Sequence, residues 1–257
     1  MRSGFLKHIN DLIRQSHLVI EIVDARHPEK TRNPGLEKMV LENNKKLLLV
    51  INKSDLIEDK KILEQKKEEM QINSKTKVIF ISALERDGIN MIRREITNAK
   101  GKNDYITIGI IGYPNVGKST LINALAGKGR GRVATSRKAG LTRGISKVKI
   151  TDGVYLIDSP GIIPRDEDQY SLFLVESKNP NQLKDVEGAA VRLIADMGKE
   201  KVAKFYGIEP EIAQEKDEEE LLEEIGKKRG MLAKGGVGDA GKAARDLLER
   251  YQKHEIK

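Results

Sequence analysis

The sequence predicts an α/β protein: a mostly parallel sheet with helices on both faces, followed by a small all-α domain. Three observations carry this reading. Six short apolar runs alternate with segments of helical periodicity, the pattern of strand–helix–strand units. Four of the six runs are nearly continuous in apolar residues, as strands buried on both faces must be. After Pro164 the β-branched runs stop, and only short helical patterns broken by glycine follow.

In chain order, a helical pattern over about Gly4–Ser16 leads into the run Leu18–Val23 (LVIEIV). A second helix is expected over Pro34–Glu42, ahead of Leu47–Ile51 (LLLVI). Asp59–Met70 has helical spacing and precedes the run Val78–Ile81. Asn90–Ala99 reads as helix, Ile106–Ile111 (ITIGII) as strand and Ser119–Leu125 as helix. Ile145–Ile150 and Val154–Ile157 complete the predicted sheet. Beyond it, helices are expected at Ser171–Glu176, Gln182–Met197, Lys199–Tyr206, Asp217–Arg229 and Asp239–Gln252. Gly207, Gly230, Gly235, Gly236 and Gly238 suit the turns and C-caps between them. The acids Asp217–Glu220 suit a helix start, where they complement the macrodipole. The boundary implied by this change divides the chain into domains at 1–165 and 166–257. The first splits again into halves at 1–100 and 101–165.

Composition removes several function classes. None of the 257 residues is cysteine, which excludes a disulfide scaffold, a cysteine-ligated zinc and a thiol nucleophile. No apolar run approaches the ~18–20 residues of a membrane span. The first residues lack the apolar core of a signal peptide, so a soluble, cytoplasmic protein is the expectation; a monomer is expected separately. His17, His27 and His254 show no metal-ligand spacing with one another. Charge is divided unevenly. Residues 166–257 carry 16 Lys and Arg against 21 Asp and Glu, whereas the rest carry 31 against 18. Within 127–150 lie eight basic residues and no acid: Lys128, Arg130, Arg132, Arg137, Lys138, Arg143, Lys147 and Lys149. Such a strip either attracts a polyanion or is a solvated loop.

Gly112-Tyr113-Pro114-Asn115-Val116-Gly117-Lys118-Ser119 fits the phosphate-loop pattern G-x-x-x-x-G-K-[ST]. It follows a predicted strand and opens a predicted helix, the context the chemistry needs. Backbone N–H groups from Asn115 through Thr120 can converge on phosphate oxygens at a helix N-terminus, which already favours anions. Lys118 suits the outer phosphates, and the Ser119 hydroxyl suits Mg²⁺. The base is chosen elsewhere. Asn52-Lys53-Ser54-Asp55 follows the second predicted strand, and one carboxylate at Asp55 accepts both N1–H and N2–H₂ of guanine. Adenine leaves that acid unpaired, a mismatch that discriminates strongly. Asn52 would brace the loop, and Lys53 would lie along the base. Ser82-Ala83-Leu84 would offer backbone N–H groups to the guanine carbonyl oxygen. Asp-x-x-Gly occurs twice, at Asp158–Gly161 and Asp185–Gly188, and about one match per chain is expected by chance. The first ends a strand forty residues after Lys118 and is taken as the site that faces Mg²⁺ and the γ-phosphate; the second lies in a polar helical stretch. Thr142 is the favoured second Mg²⁺ ligand, ahead of Thr135 and Ser136.

Together these motifs resemble those of Ras-like GTPases, but in a rotated order, with Asn52–Asp55 and Ser82–Leu84 ahead of the phosphate loop. The chain therefore resembles the circularly permuted GTPases of the YlqF/YawG ribosome-assembly family. Asp24-Ala25-Arg26-His27-Pro28, Arg32-Asn33-Pro34 and the terminal Lys234-Gly235-Gly236 with Asp239 and Ala243-Ala244-Arg245 support the likeness. It implies a P-loop NTPase fold and GTP hydrolysis with Mg²⁺, carried by Lys118, Thr142 and Gly161. The implied partner is the large ribosomal subunit or its precursor. The residue after D-x-x-G, which in Ras-like enzymes is the Gln that positions water, is here Ile162, followed by Ile163, so slow intrinsic turnover is implied. Asn115 either holds K⁺, as in potassium-stimulated relatives, or braces the loop. His8 sits at another offset from the family's N-terminal histidine and takes no catalytic role. Asp24 and Arg26 form either an internal ion pair or part of a partner surface. The other reading of the whole chain is a GTP-dependent switch that docks a protein effector through its helical domain; salt-dependent RNA binding discriminates against it.

Overall fold

A computed structural model describes residues 3–57, 61, 64–65, 68–69, 76–127, 146–158 and 168–256. It divides into two compact units, residues 1–167 and 168–257.

The first unit is a six-stranded sheet with helices. Its elements are α1 (Ser3–Gln15), β1 (Leu18–Asp24), α2 (Pro28–Thr31), α3 (Pro34–Glu42) and β2 (Lys46–Asn52). After a 3₁₀ turn (Ser54–Leu56) come β3 (Lys77–Phe80), α4 (Ile89–Lys100), β4 (Ile106–Gly112), α5 (Lys118–Ala126), β5 (Ser146–Thr151) and β6 (Val154–Asp158). The strand order is β3-β2-β1-β4-β6-β5, with every pair parallel except β5–β6. Every residue of β1 and β4 is buried, which is why both read as continuous apolar runs. The chain reverses direction across the sheet between these two central strands. Ligand crevices of open α/β sheets form at such a switch point, outside the carboxyl ends of the strands.

Register brings the functional ends level. Asp24 stands opposite Asn52, Ile22 opposite Gly112, and Ile110 opposite Asp158. The core on one face joins Ile9, Leu12 and Ile13 of α1 to Val19, Leu36, Val40, Ile111 and Ile157. Gly109 permits this close approach: a Cβ there would lie 2.4 Å from Ser16 Oγ and 2.5 Å from Leu12 Cδ2. His17 fastens the entry to β1. Its N–H donates to Thr107 O at 2.8 Å, and its Nδ1 accepts from Thr107 N at 3.0 Å.

The second unit is all helical: α6 (Gln169–Leu174), a 3₁₀ turn (Pro180–Gln182), α7 (Val186–Met197), α8 (Lys199–Tyr206), α9 (Pro210–Glu215), α10 (Glu218–Lys228) and α11 (Ala240–Gln252). Its core gathers Phe173, Leu193, Val202, Leu221, Ile225, Leu247 and Leu248. Asp168, Asp185, Asp217 and Asp239 each cap a helix by accepting backbone N–H bonds.

Several expectations change at this level. The helix expected over Gln182–Met197 begins at Val186, because Pro180 and Asp185 start two separate turns. Asp185 accepts from Gly188 N–H at 2.9 Å, so the second D-x-x-G is a helix cap. The short α2 and α9, each with proline in its first turn, carry too few residues for periodicity to show. Most of Asp59–Met70 lies outside the described residues. No helix among the described residues is long and apolar enough to cross a membrane.

Candidate functional site

The site is built from three loops that leave the carboxyl ends of β2, β3 and β4. Residues 112–119 run from the end of β4 into α5, with Asn115 (φ 60°) and Gly117 (φ 98°) in the left-handed region. Lys118 is buried, and its ammonium donates to Gly112 O at 3.1 Å and Tyr113 O at 2.5 Å. A buried cation folded over a Gly-rich turn at a helix N-terminus is an arrangement suited to anions. Ser119 and Thr120 occupy the first turn of α5, half-buried.

Asn52 is the bolt of this assembly. Its side-chain amide donates to Val116 O at 2.8 Å, and its Oδ1 accepts from Ala83 N at 2.9 Å. One buried side chain thus joins the end of β2, the phosphate loop and the Ser82-Ala83-Leu84 loop. Gly117 is required beside it: a Cβ there would sit 2.2 Å from Asn52 Nδ2, on a backbone that L side chains resist. Ser82 and Ala83 are buried, whereas Leu84 is 74% exposed. Ser82 Oγ accepts from Glu85 N at 3.1 Å, which closes the turn that presents Leu84.

Lys53 is left-handed as well (φ 66°, ψ 33°) and starts the 3₁₀ turn that carries Asp55. Ser54 N donates to Ile81 O at 3.1 Å, tying this turn to the chain beyond β3. Asp55 is exposed on the same turn. Lys53 Nζ lies 2.8 Å from Asp24 Oδ2, and Arg26 Nη2 lies 2.7 Å from the same oxygen. Asp24 and Arg26 are therefore an internal ion pair with a second cation added. Burial pushes the Asp24 carboxyl up, but the Arg26 bonds and the Lys53 charge outweigh it. They hold it well below the usual carboxylate range.

Behind this edge sits an acid that the sequence reading passes over. Glu21, in the middle of β1, is fully buried and accepts from Asn33 N at 2.7 Å. Burial, then the nearby Glu37 charge, raises its carboxyl well above the ordinary value. Glu37 is itself paired with Arg32. An acid inside an apolar strand, followed by Arg32-Asn33-Pro34, is the signal that could have found it.

The remaining candidates divide in two. Asp158 is the last residue of β6, at the same edge as Gly112 and Asn52. Gly161, Thr142, Thr135, Ser136, Ile162 and Ile163 lie outside the described residues, as do Lys128, Arg130, Arg132, Arg137, Lys138 and Arg143.

Comparison with known proteins bears on this geometry. The RsgA GTPase family model matches residues 18–166, and a 50S ribosome-binding GTPase model matches residues 107–230. The uncharacterized GTP-binding protein MJ1464 of Methanocaldococcus jannaschii is 37% identical, with 96% of this chain and 64% of that protein covered. The nuclear GTP-binding protein NUG1 of Saccharomyces cerevisiae is 28% identical, with 99% of this chain and 55% of that protein covered. The chain thus spans less than two thirds of the length of either relative. GDP-bound YlqF of T. maritima matches with a TM-score of 0.64 at 27% identity, covering 96% of this chain and 94% of that one. A family model over more than half of the chain, the order of the motifs and the YlqF-like fold all agree: the chain belongs to the RsgA GTPase family of circularly permuted GTPases.

Proposed function

We propose that the chain binds GTP, hydrolyses it to GDP and phosphate, and acts in ribosome biogenesis on the large subunit or its precursor. The observation that carries the nucleotide reading is the pair of hydrogen bonds of Asn52, which ties three loops together. In the proposed pocket Asp55 accepts the two guanine donors, Lys53 lies along the base, and the Ser82–Leu84 turn meets the guanine carbonyl. Backbone N–H groups of Asn115 through Thr120 cradle the phosphates. Lys118 moves its ammonium from the loop carbonyls to the outer phosphates.

Hydrolysis adds water to the γ-phosphorus as its bond to the β–γ bridging oxygen breaks. Mg²⁺, when bound, neutralises the charge on the outer phosphates. Ser119 at the start of α5, Asp158 at the end of β6 and Thr142 would hold that hard cation through their side-chain oxygens. Gly161 contributes its N–H to the γ-phosphate. Asn115, left-handed and half-buried, either braces the loop or holds K⁺. The hydrophobic Ile162 after Gly161 leaves water without a side-chain amide, so intrinsic turnover is slow and a partner raises it.

The ribosomal assignment is supported by the 50S ribosome-binding GTPase match and by the basic strip around Thr142. Contacts from Lys128, Arg130, Arg132, Arg137, Lys138 and Arg143 to rRNA phosphates would be salt-sensitive. The test is GTP hydrolysis in K⁺ and in Na⁺ buffer, with and without purified large ribosomal subunits. Stimulation by subunits that fades as salt rises is the expected result. Normal GTP binding without stimulation would contradict the ribosomal role and favour a protein effector.

A further inference from the structure

Asp24 ends β1 at the switch point of the sheet, beside Asn52 on one side and the phosphate-loop strand on the other. Its carboxylate is 2% exposed, a burial that a charge tolerates only with good partners. Arg26 supplies three bonds, from its backbone N and Nε at 3.0 Å to Oδ1 and from Nη2 at 2.7 Å to Oδ2. The backbone N–H of Asp24 is also held, donating to Thr31 Oγ1 at 2.9 Å. Arg26 alone would already neutralise this acid. The structure adds a second cation, Lys53 Nζ at 2.8 Å, which reaches across from the end of the neighbouring strand.

Lys53 is also a residue in a costly conformation. A left-handed backbone away from glycine is disfavoured and persists where surroundings over-determine it. The tether to Asp24 is one such constraint. It also fixes a direction. The Lys53 backbone follows β2 and its ammonium is anchored at the end of β1, so the four-carbon stem spans the gap between two adjacent strand ends. The stem is thereby held in one place, two residues before Asp55.

We propose that Asp24, clamped by Arg26, is a positioning residue for the guanine base: it anchors the Lys53 ammonium and so fixes both the turn carrying Asp55 and the stem against which the base packs. This rests on the reading of Asn52–Asp55 as the guanine loop. Asp24 touches no reacting atom and acts through Lys53. Its effect therefore falls on the base and not on the phosphates, and it vanishes when Lys53 cannot be anchored.

The experiment measures GDP affinity by displacement of a fluorescent GDP analogue for the wild type, Asp24→Asn, Lys53→Met, the double variant and Asp55→Ala. Inorganic tripolyphosphate serves as a base-free competitor for each. Asp24→Asn is expected to weaken GDP about tenfold, the scale of one charge-assisted hydrogen bond, and to leave tripolyphosphate unchanged. Lys53→Met keeps a stem without an anchor and is expected to lose about as much. The double variant is expected to be no weaker than Lys53→Met, the signature of one coupled unit. Equal weakening of GDP and tripolyphosphate by Asp24→Asn would overturn the proposal, as would additive losses. Should Asp24→Asn fail to fold, Lys53→Met with wild-type GDP affinity would overturn it by itself. Asp55→Ala separates the two claims: unchanged GDP affinity there, with ADP bound equally well, would overturn the guanine reading and this proposal with it.

Discussion

Asn52 shows how much one buried amide can organise. Its donor and acceptor are both used, on Val116 O and Ala83 N, so truncation strands two buried backbone groups. Asn52→Ala is expected to destabilise the first unit by about 2–4 kcal/mol in chemical denaturation, and to weaken GDP binding with it. Glu21 makes the opposite kind of prediction. The fold raises its carboxyl, so the stability linked to its proton is complete below the unfolded value, near pH ~4.3, and is lost as pH rises through the raised one. The depressed Asp24 carboxyl works the other way, losing its contribution only as pH falls through its low folded value. Glu21→Gln keeps the acceptor for Asn33 N–H and removes the titration. Thermal melts from pH 5 to 8 are expected to show wild-type stability falling with rising pH relative to Glu21→Gln. At this scale, legibility followed chemistry. Asn52, Asp55, Gly117 and Lys118 stand out in the sequence because the proposed guanine and phosphate contacts demand those residue types at those spacings. The Asp24–Lys53 contact joins residues 29 positions apart through strand register, which no local pattern encodes.

At the scale of elements, burial and capping decide what the chain advertises. The six strands were legible because β1 and β4 are buried throughout and β2 nearly so, leaving long apolar runs. Four of them extend one residue past the apolar run, to Asp24, Asn52, Gly112 and Asp158, and the candidate site lies at these ends. Pro34–Glu42 and Lys199–Tyr206 match their predicted bounds, the first with an Asn33 cap and the second closed by left-handed Gly207. The α7 boundary was obscured because Gln182 and Leu183 continue its polar–apolar rhythm through a separate 3₁₀ turn. Asp185 is the true start. Asp185→Ala is expected to cost the helical unit about 1 kcal/mol in chemical denaturation, with no change in GDP affinity. A loss of GDP affinity would return the second D-x-x-G to the nucleotide site.

For the whole molecule, permutation leaves the sheet order of a nucleotide-binding α/β domain intact and changes where the chain leaves it. Asp158 ends β6 at the ligand edge, and the helical unit begins only ten residues later, at Asp168. Gly161 lies in the stretch of sequence that joins them. This connection predicts that γ-phosphate contact resets the posture of the helical unit. Distance labels on the two units are expected to report different separations with GDP and with a GTP analogue; identical separations would remove the coupling.

The central claim is that Asn52–Asp55, Ser82–Leu84 and the phosphate loop form one guanine-specific pocket. The most direct test is competition of guanine, adenine and xanthine nucleotides on the wild type and on Asp55→Asn. The wild type is expected to prefer GDP over ADP by at least about a hundredfold, because adenine leaves a carboxylate unpaired. Asp55→Asn, which trades one acceptor for a donor, is expected to lose GDP and gain xanthosine diphosphate by about tenfold or more. Equal binding of GDP and ADP by the wild type, or an Asp55→Asn variant with unaltered base preference, would contradict the account.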